Sequence, residues 1–253
     1  MVPAAGKNAY CDPMSLSHER AHEIARRGPN KVTYYLTMAL LVPILRVVFS
    51  MRVSGTEHVP KAGPAVIVPN HKSFWDGFFI AACLTRRIHF MGKAELFEGR
   101  KGRLLLALGG FPVKRGESDA EALDTARAVL ARGDILALFP EGTRVRDPEA
   151  LGTPKRGAAR LAIEAGAPLI PTAITGTEKR RWPLPRRVQV AFGEPVPVDQ
   201  LRATPEDAGK VITEDVWPTI NEEYARLRAR PGLVVAGLTA AGVVYAIRRS
   251  RKN

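Results

Sequence analysis

The chain has 253 residues, a formal net charge of +13 and 45% hydrophobic residues. That composition excludes a disordered chain, and the length suffices for one sizeable core without requiring two domains. The charge favours an acidic partner, a condition met by nucleic acid, anionic lipid, phosphorylated metabolites and an acidic carrier protein alike. Two cysteines, Cys11 and Cys83, exclude a disulfide framework and fit a reducing cytosol.

Residues 1–30 read as a polar leader with a short helix, and His18, Glu19, Arg26 and Arg27 do not suit a secretory signal. Within it, His18-Glu19-Arg20-Ala21-His22 matches H-E-x-x-H, which sets two zinc-ligating histidines on one helical face. Catalytic zinc takes three protein ligands in a closed pocket. No third ligand is evident beside this polar stretch, so no metal is expected.

Val32–Phe49 is apolar, interrupted by Pro43, and short for a bilayer span of roughly 20 residues. Its tyrosines, Tyr34 and Tyr35, favour an interfacial or re-entrant helix, with a core-packing helix as the alternative. Ala65–Pro69 reads as a strand, Phe74–Leu84 as a helix and Ile88–Met91 as another strand. Ser118 and Glu121 form a capping box opening a helix with Leu123, Ala126, Val129 and Leu130 on one face, ended by Gly133. Ile135–Phe139, Leu169–Ile174 and Val188–Phe192 read as strands, and Ala158–Ala165 as a helix stopped by Gly166. Thr213–Arg230 is a last helix interrupted near Pro218. Gly232–Ile247 is a second short apolar segment, and Arg248, Arg249, Arg251 and Lys252 behind it suit an anionic cytosolic surface.

This alternation predicts an α/β fold: a mixed, mostly parallel sheet flanked by helices, with membrane-associating helices at both ends. The organisation expected is a leader and apolar helix over 1–52, an α/β domain over 53–231, and a C-terminal apolar helix with its tail over 232–253.

The chemistry-bearing pattern starts where the first strand ends, at Asn70-His71-Lys72-Ser73-Phe74-Trp75-Asp76. On one continuous helix His71 and Asp76 would be separated by about 500° and share no face. They meet only if His71 lies in the loop and Asp76 in the first helical turn, with Ser73 as N-cap and Asp76 at N3. A carboxylate there fixes the imidazole tautomer and stabilises the imidazolium, so His71 is the candidate general base and Asp76 its orienting partner. Taken alone, Ser-x-x-Asp is an ordinary helix start. Three further segments add weight: Gly109-Gly110-Phe111-Pro112-Val113-Lys114-Arg115, a glycine-rich turn ending in two cations; Phe139-Pro140-Glu141-Gly142-Thr143-Arg144, directly after a buried strand; and Ala167–Ile174, a strand punctuated by Pro168 and Pro171. Ligands of open α/β sheets sit beyond the carboxyl ends of the strands, where one pocket would join His71 to Glu141.

In order and spacing, these blocks resemble those of the 1-acyl-glycerol-3-phosphate (lysophosphatidic acid) acyltransferases, across residues 70–174. The resemblance implies that His71 deprotonates the acceptor hydroxyl, oriented by Asp76. It further implies that Arg115 binds the acceptor phosphate, to which the neighbouring Lys114 adds positive charge, and that Glu141, Gly142, Thr143 and Arg144 hold the glycerol-phosphate moiety. Pro171 falls in the last block, and Lys155-Arg156-Gly157 resembles a basic turn that follows the third. Val113-Lys114 stands where the family often has Ile-Asp, leaving the acceptor's identity more open. The implied donor is acyl-CoA or acyl carrier protein, with no bound cofactor, no acyl-enzyme and action at the cytoplasmic face of the membrane. Acceptors other than lysophosphatidic acid, such as glycerol-3-phosphate or another lysolipid, remain alternatives, as do a hydrolase and a non-catalytic lipid-binding protein. The basic run Lys179-Arg180-Arg181-Trp182, with Arg186 and Arg187, has no nucleic-acid-binding pattern beside it and suits anionic lipid, an acidic carrier or a solvated loop; no nucleic acid is expected.

Overall fold

The computed structural model describes residues 18–114, 119–178, 187–201 and 203–229. The expectations for Cys11, Arg115, Ser118, the basic run up to Arg186, and the C-terminal apolar segment with its tail lie outside those residues.

In chain order the elements are helices α1 (His18–Arg27) and α2 (Lys31–Val48), strands β1 (Arg52–Ser54) and β2 (Ala65–Pro69), α3 (Asp76–Ala81), β3 (Ile88–Lys93), α4 (Gly99–Ala107), β4 (Gly110–Val113), α5 (Ala120–Ala131), β5 (Ile135–Ala137), α6 (Gly157–Ala165), β6 (Leu169–Thr175) and β7 (Gln189–Phe192). A short α7 (Ala208–Lys210) leads through a π-helical turn (Val211–Val216) into α8 (Trp217–Ala229).

The strands form one sheet in the order β1-β7-β6-β2-β5-β3-β4. Every pairing is parallel except β6 with β7. The five strands from β6 to β4 therefore end at the same rim. Central β2 pairs Val66 with both Leu169 and Leu136, and Ile67 with both Ile170 and Ala137. All five β2 residues are buried because helices cover both faces, which explains the unbroken apolar run. Alternation assigns Val66, Val68, Leu136 and Leu169 to the layer under α5, α6 and the π turn. Ala65, Ile67, Ile135 and Ile170 face the other layer, with α2 and α3.

Helix α2 is capped by Asn30, whose side chain accepts the N–H groups of Val32 and Thr33. Tyr34, Met38 and Leu45 anchor it to the second layer, while Leu40 is 74% exposed and Val47 78% exposed. Helix α1 packs on α5 and β4 rather than standing apart from the sheet.

Four local expectations require correction. The helix after β2 begins at Asp76, not Phe74: Ser73 Oγ accepts the Trp75 N–H at 3.3 Å and Ser73 O the Asp76 N–H, closing a turn first, so Asp76 is the first helical residue instead of the third. Helix α5 is capped by Asp119, which accepts the Ala122 N–H, and so begins later than the expected capping box. Among the described residues of the glycine-rich segment only Gly109 turns, at φ +86°, where a Cβ would approach Ile88 O to 2.5 Å; Gly110–Val113 continue as β4. The break expected near Pro218 is the π turn just before it, since proline offers no N–H to close the preceding helical turn.

Candidate active site

The carboxyl rim of β2, β5 and β3 carries the candidate site. Asn70 ties the first of these ends down: its Nδ2 donates to Ile174 O at 3.1 Å and its Oδ1 accepts the Ile174 N–H at 2.8 Å. Those bonds span the gap to β6 and fix where the chain leaves the sheet. One residue on, His71 lies in a loop with its side chain 12% exposed.

His71 Nδ1 lies 3.0 Å from Asp76 Oδ2, and the Asp76 side chain is fully buried. The same oxygen accepts the backbone N–H groups of Lys72 at 2.7 Å and Ser73 at 2.8 Å. Two backbone donors on that one oxygen fix it as an acceptor and turn Asp76 back from the helix start. With Oδ2 accepting, Nδ1 donates the imidazole proton to it and Nε2 carries the lone pair. Phe139 stacks beneath the ring at 4.0 Å between centroids and 27° between planes.

Glu141 lies behind the histidine, buried, and acts on the backbone. Its Oε2 accepts the His71 N–H at 2.7 Å and its Oε1 the Gly152 N–H at 2.8 Å. Burial pushes its carboxyl above the ordinary value, opposed by those two hydrogen bonds. The return bond from Val145 N–H to His71 O, at 2.9 Å, closes the bracket. Lys72 extends it: its buried ammonium donates to Asp147 O at 2.7 Å and to Ala150 O, and lies 5.1 Å from the Tyr224 ring centroid. Burial lowers its pKa, while Glu141, Glu178 and Asp147 oppose the shift.

His71 opens onto a cavity of about 200 Å³ with a predominantly apolar wall that includes Met38, Phe78, Ala81, Leu105 and Leu108. Lys93 and Arg144 line the same cavity and bring positive charge to it. Gly142 turns at φ +68° beside Lys155, where a Cβ would come within 3.1 Å of Nζ. Thr143 and Arg144 are exposed, and Lys114 is exposed at the end of β4. The structure thus brings His71, Asp76, Glu141 and Arg144 to one place and sets Lys114 farther along the rim. Lys93, Phe139 and Lys72 escaped the sequence reading. Lys93 was legible in principle, as a cation ending a strand parallel to β5, whereas the partners of Lys72 are carbonyl groups that no residue type advertises.

Residues 50–175 match the family model described as Acyltransferase. The chain is 31% identical over 159 residues to the 1-acyl-sn-glycerol-3-phosphate acyltransferase of Bacillus subtilis, covering 60% of this chain and 78% of that one. With 1-acyl-sn-glycerol-3-phosphate acyltransferase alpha of Mus musculus it shares 31% identity over 195 residues, 72% of this chain and 67% of the other. Among solved structures, the 1-acyl-sn-glycerophosphate (LPA) acyltransferase PlsC of Thermotoga maritima superposes with a TM-score of 0.63 at 23% identity, covering 83% of this chain and 88% of that one, a likeness of fold.

Proposed function

Because the chain belongs to the 1-acyl-sn-glycerol-3-phosphate acyltransferase family and is an O-acyltransferase, we propose that it acylates lysophosphatidic acid from a thioester donor, with His71 as general base and no acyl-enzyme. The observation that carries this reading is the 3.0 Å contact between His71 Nδ1 and Asp76, which leaves the Nε2 lone pair beside an apolar cavity with cations on its wall.

The reaction follows from that geometry. The acceptor hydroxyl oxygen attacks the thioester carbonyl carbon as its proton passes to His71 Nε2. Asp76 stabilises the resulting imidazolium, and proton transfer to a base so positioned is worth about 10²–10⁴-fold. Collapse of the tetrahedral oxyanion breaks the carbon–sulfur bond, and the imidazolium returns its proton to the departing thiolate. The apolar cavity takes the acyl chain. Arg144 and Lys93 attract the acceptor's phosphate, and an arginine adds a bidentate grip. Both acyl-CoA and acyl carrier protein suit the basic chain as donors.

Helix α2 supports action at a membrane. Its 18 residues span about 27 Å at 1.5 Å per residue, and only 17% of that length is buried. Tyr34, Met38 and Leu45 fasten one side to the domain, leaving Leu36, Leu40 and Val47 to enter the apolar layer of a bilayer. Met38 also lines the cavity, so an acyl chain passes from lipid to site along this helix. The basic charge favours the anionic cytoplasmic leaflet.

The test incubates purified protein with acyl-CoA or acyl carrier protein and follows free thiol, with and without lysophosphatidic acid. Thiol release that requires the acceptor is expected. Equal release without acceptor would mean a thioesterase instead.

A further inference from the structure

We propose that His18, His22 and Asp119 form a structural divalent-cation site of the zinc class, remote in role from the acyl-transfer chemistry. Their ligand atoms all lie within 4.8 Å of one another. His18 Nε2 and His22 Nε2 are 3.2 Å apart, and His18 Nε2 is 3.9 Å from Asp119 Oδ2. A tetrahedral zinc ion with bonds of about 2.0–2.1 Å needs ligand edges of about 3.3–3.4 Å, so the histidine edge already fits, the His18–Asp119 edge closes by about half an ångström, and no edge of the set has more than about 1.5 Å to close.

The histidine orientation points the same way. His22 is fully buried, and its Nδ1 lies 2.8 Å from the hydroxyl of Thr125, itself fully buried. With Nδ1–H donated to that hydroxyl, the His22 Nε2 lone pair faces His18. An outer partner on one ring nitrogen that frees the other is how proteins aim a metal-ligating histidine. Asp119 Oδ2 also accepts the Lys114 N–H at 2.8 Å, and a carboxylate oxygen has a second lone pair for a cation. Glu121 adds a carboxylate 3.9 Å from His18 Nε2, with Arg26 3.7 Å from its other oxygen. Both histidines come from α1, and Asp119 is the N-cap of α5, joined through the Lys114 N–H to the residue just past β4. The cation holds α1, the end of β4 and the N-cap of α5 at one point.

H-E-x-x-H thus gains its third ligand 97 positions beyond His22, from a residue that also caps a helix. The role is a staple and not hydrolysis: the ligand shell includes a side chain with no exposed surface, and Glu19 of the motif lies on the exposed side of α1.

The experiment strips the full, untagged chain with a chelator, then titrates it with zinc ion alone by calorimetry, and with cobalt ion for the visible spectrum of a tetrahedral site. Expected are one equivalent bound, a tetrahedral cobalt spectrum, and a melting temperature raised by about 4 °C or more at saturation. His18→Gln alters a partly exposed side chain and keeps the fold testable; it should weaken binding at least tenfold, and Thr125→Val about 10–100-fold. Sub-stoichiometric binding by the parent, affinity unchanged in His18→Gln and Asp119→Asn, or saturation with no thermal shift would each overturn the proposal.

Discussion

Glu141 Oε2 accepts the backbone N–H of His71 at 2.7 Å, so the carboxylate most readily taken for a substrate ligand is bound to the chain that carries the base. Both of its oxygens are occupied by backbone donors, one from each side of the site. Glu141→Gln keeps the shape but turns one acceptor into a donor facing an N–H. A buried donor left unpaired costs about 1–3 kcal/mol, and kcat is expected to fall about tenfold or more with KM for the acceptor little changed. Steady-state kinetics with varied lysophosphatidic acid separates this from loss of a phosphate contact, which would raise KM first.

Lys72 is expected to set the stability of the loop over residues 142–152. Its ammonium serves Asp147 O and Ala150 O, and Lys72→Met leaves both carbonyls without that donor. The expected loss is about 1–3 kcal/mol of unfolding free energy in urea, with proteolysis appearing first in this loop. Retained stability with no new cleavage would deny the tether.

Acyl selectivity should follow the cavity wall. Ala81 lines the cavity on the α3 side, and Ala81→Leu adds three carbons into about 200 Å³ of space. At about 0.8 kcal/mol per buried methylene, a preference for shorter acyl donors is expected in a competition between chain lengths. An unshifted preference would place the chain elsewhere.

The opposite rim carries the pH dependence of stability. Asp134, just before β5, is partly buried, which alone would raise its pKa, yet hydrogen bonds from His89 and Arg132 hold it well below the ordinary carboxylate range. A carboxylate with a depressed folded-state pKa contributes stability that is present above its unfolded value, about 3.9, and lost as pH falls below it. Urea midpoints should therefore drop steeply in acid for the parent and less steeply for Asp134→Asn. At neutral pH that variant is expected to be less stable while its folded fraction keeps normal turnover.

The parts of the fold legible in the sequence are those where one rule dominates. Strands β2, β5, β6 and β7 are apolar runs because helices cover both faces, and α6 ends where Gly166 adopts φ +57°. Strand β1 is three residues long with two of them exposed, and α4 opens with Gly-Arg-Lys-Gly-Arg, so neither carries a clear hydrophobic period. Strand β4 hid inside a glycine-rich segment because Gly110 and Pro112 pass for turn residues. At the site, the loop placement of His71 and the position of Asp76 near a helix start followed from spacing, but the helix began later than the cap rule implied, since Ser73 spends its hydroxyl on a turn. The paired hydrogen bonds of Asn70 with Ile174, the bond from the His71 N–H to Glu141, and Asp119 beside His18 and His22 join residues 70–104 positions apart, and local pattern carries no trace of them.

The decisive measurement is kcat of His71→Ala, purified and shown to be folded by its circular dichroism and melting curve, with acyl-CoA and lysophosphatidic acid both saturating. Removal of a general base at Nε2 should lower the rate by about 10²–10⁴-fold while leaving the melting temperature near that of the parent. A folded variant that turns over within a few-fold of the parent would contradict a base at this position, whatever the geometry around Asp76.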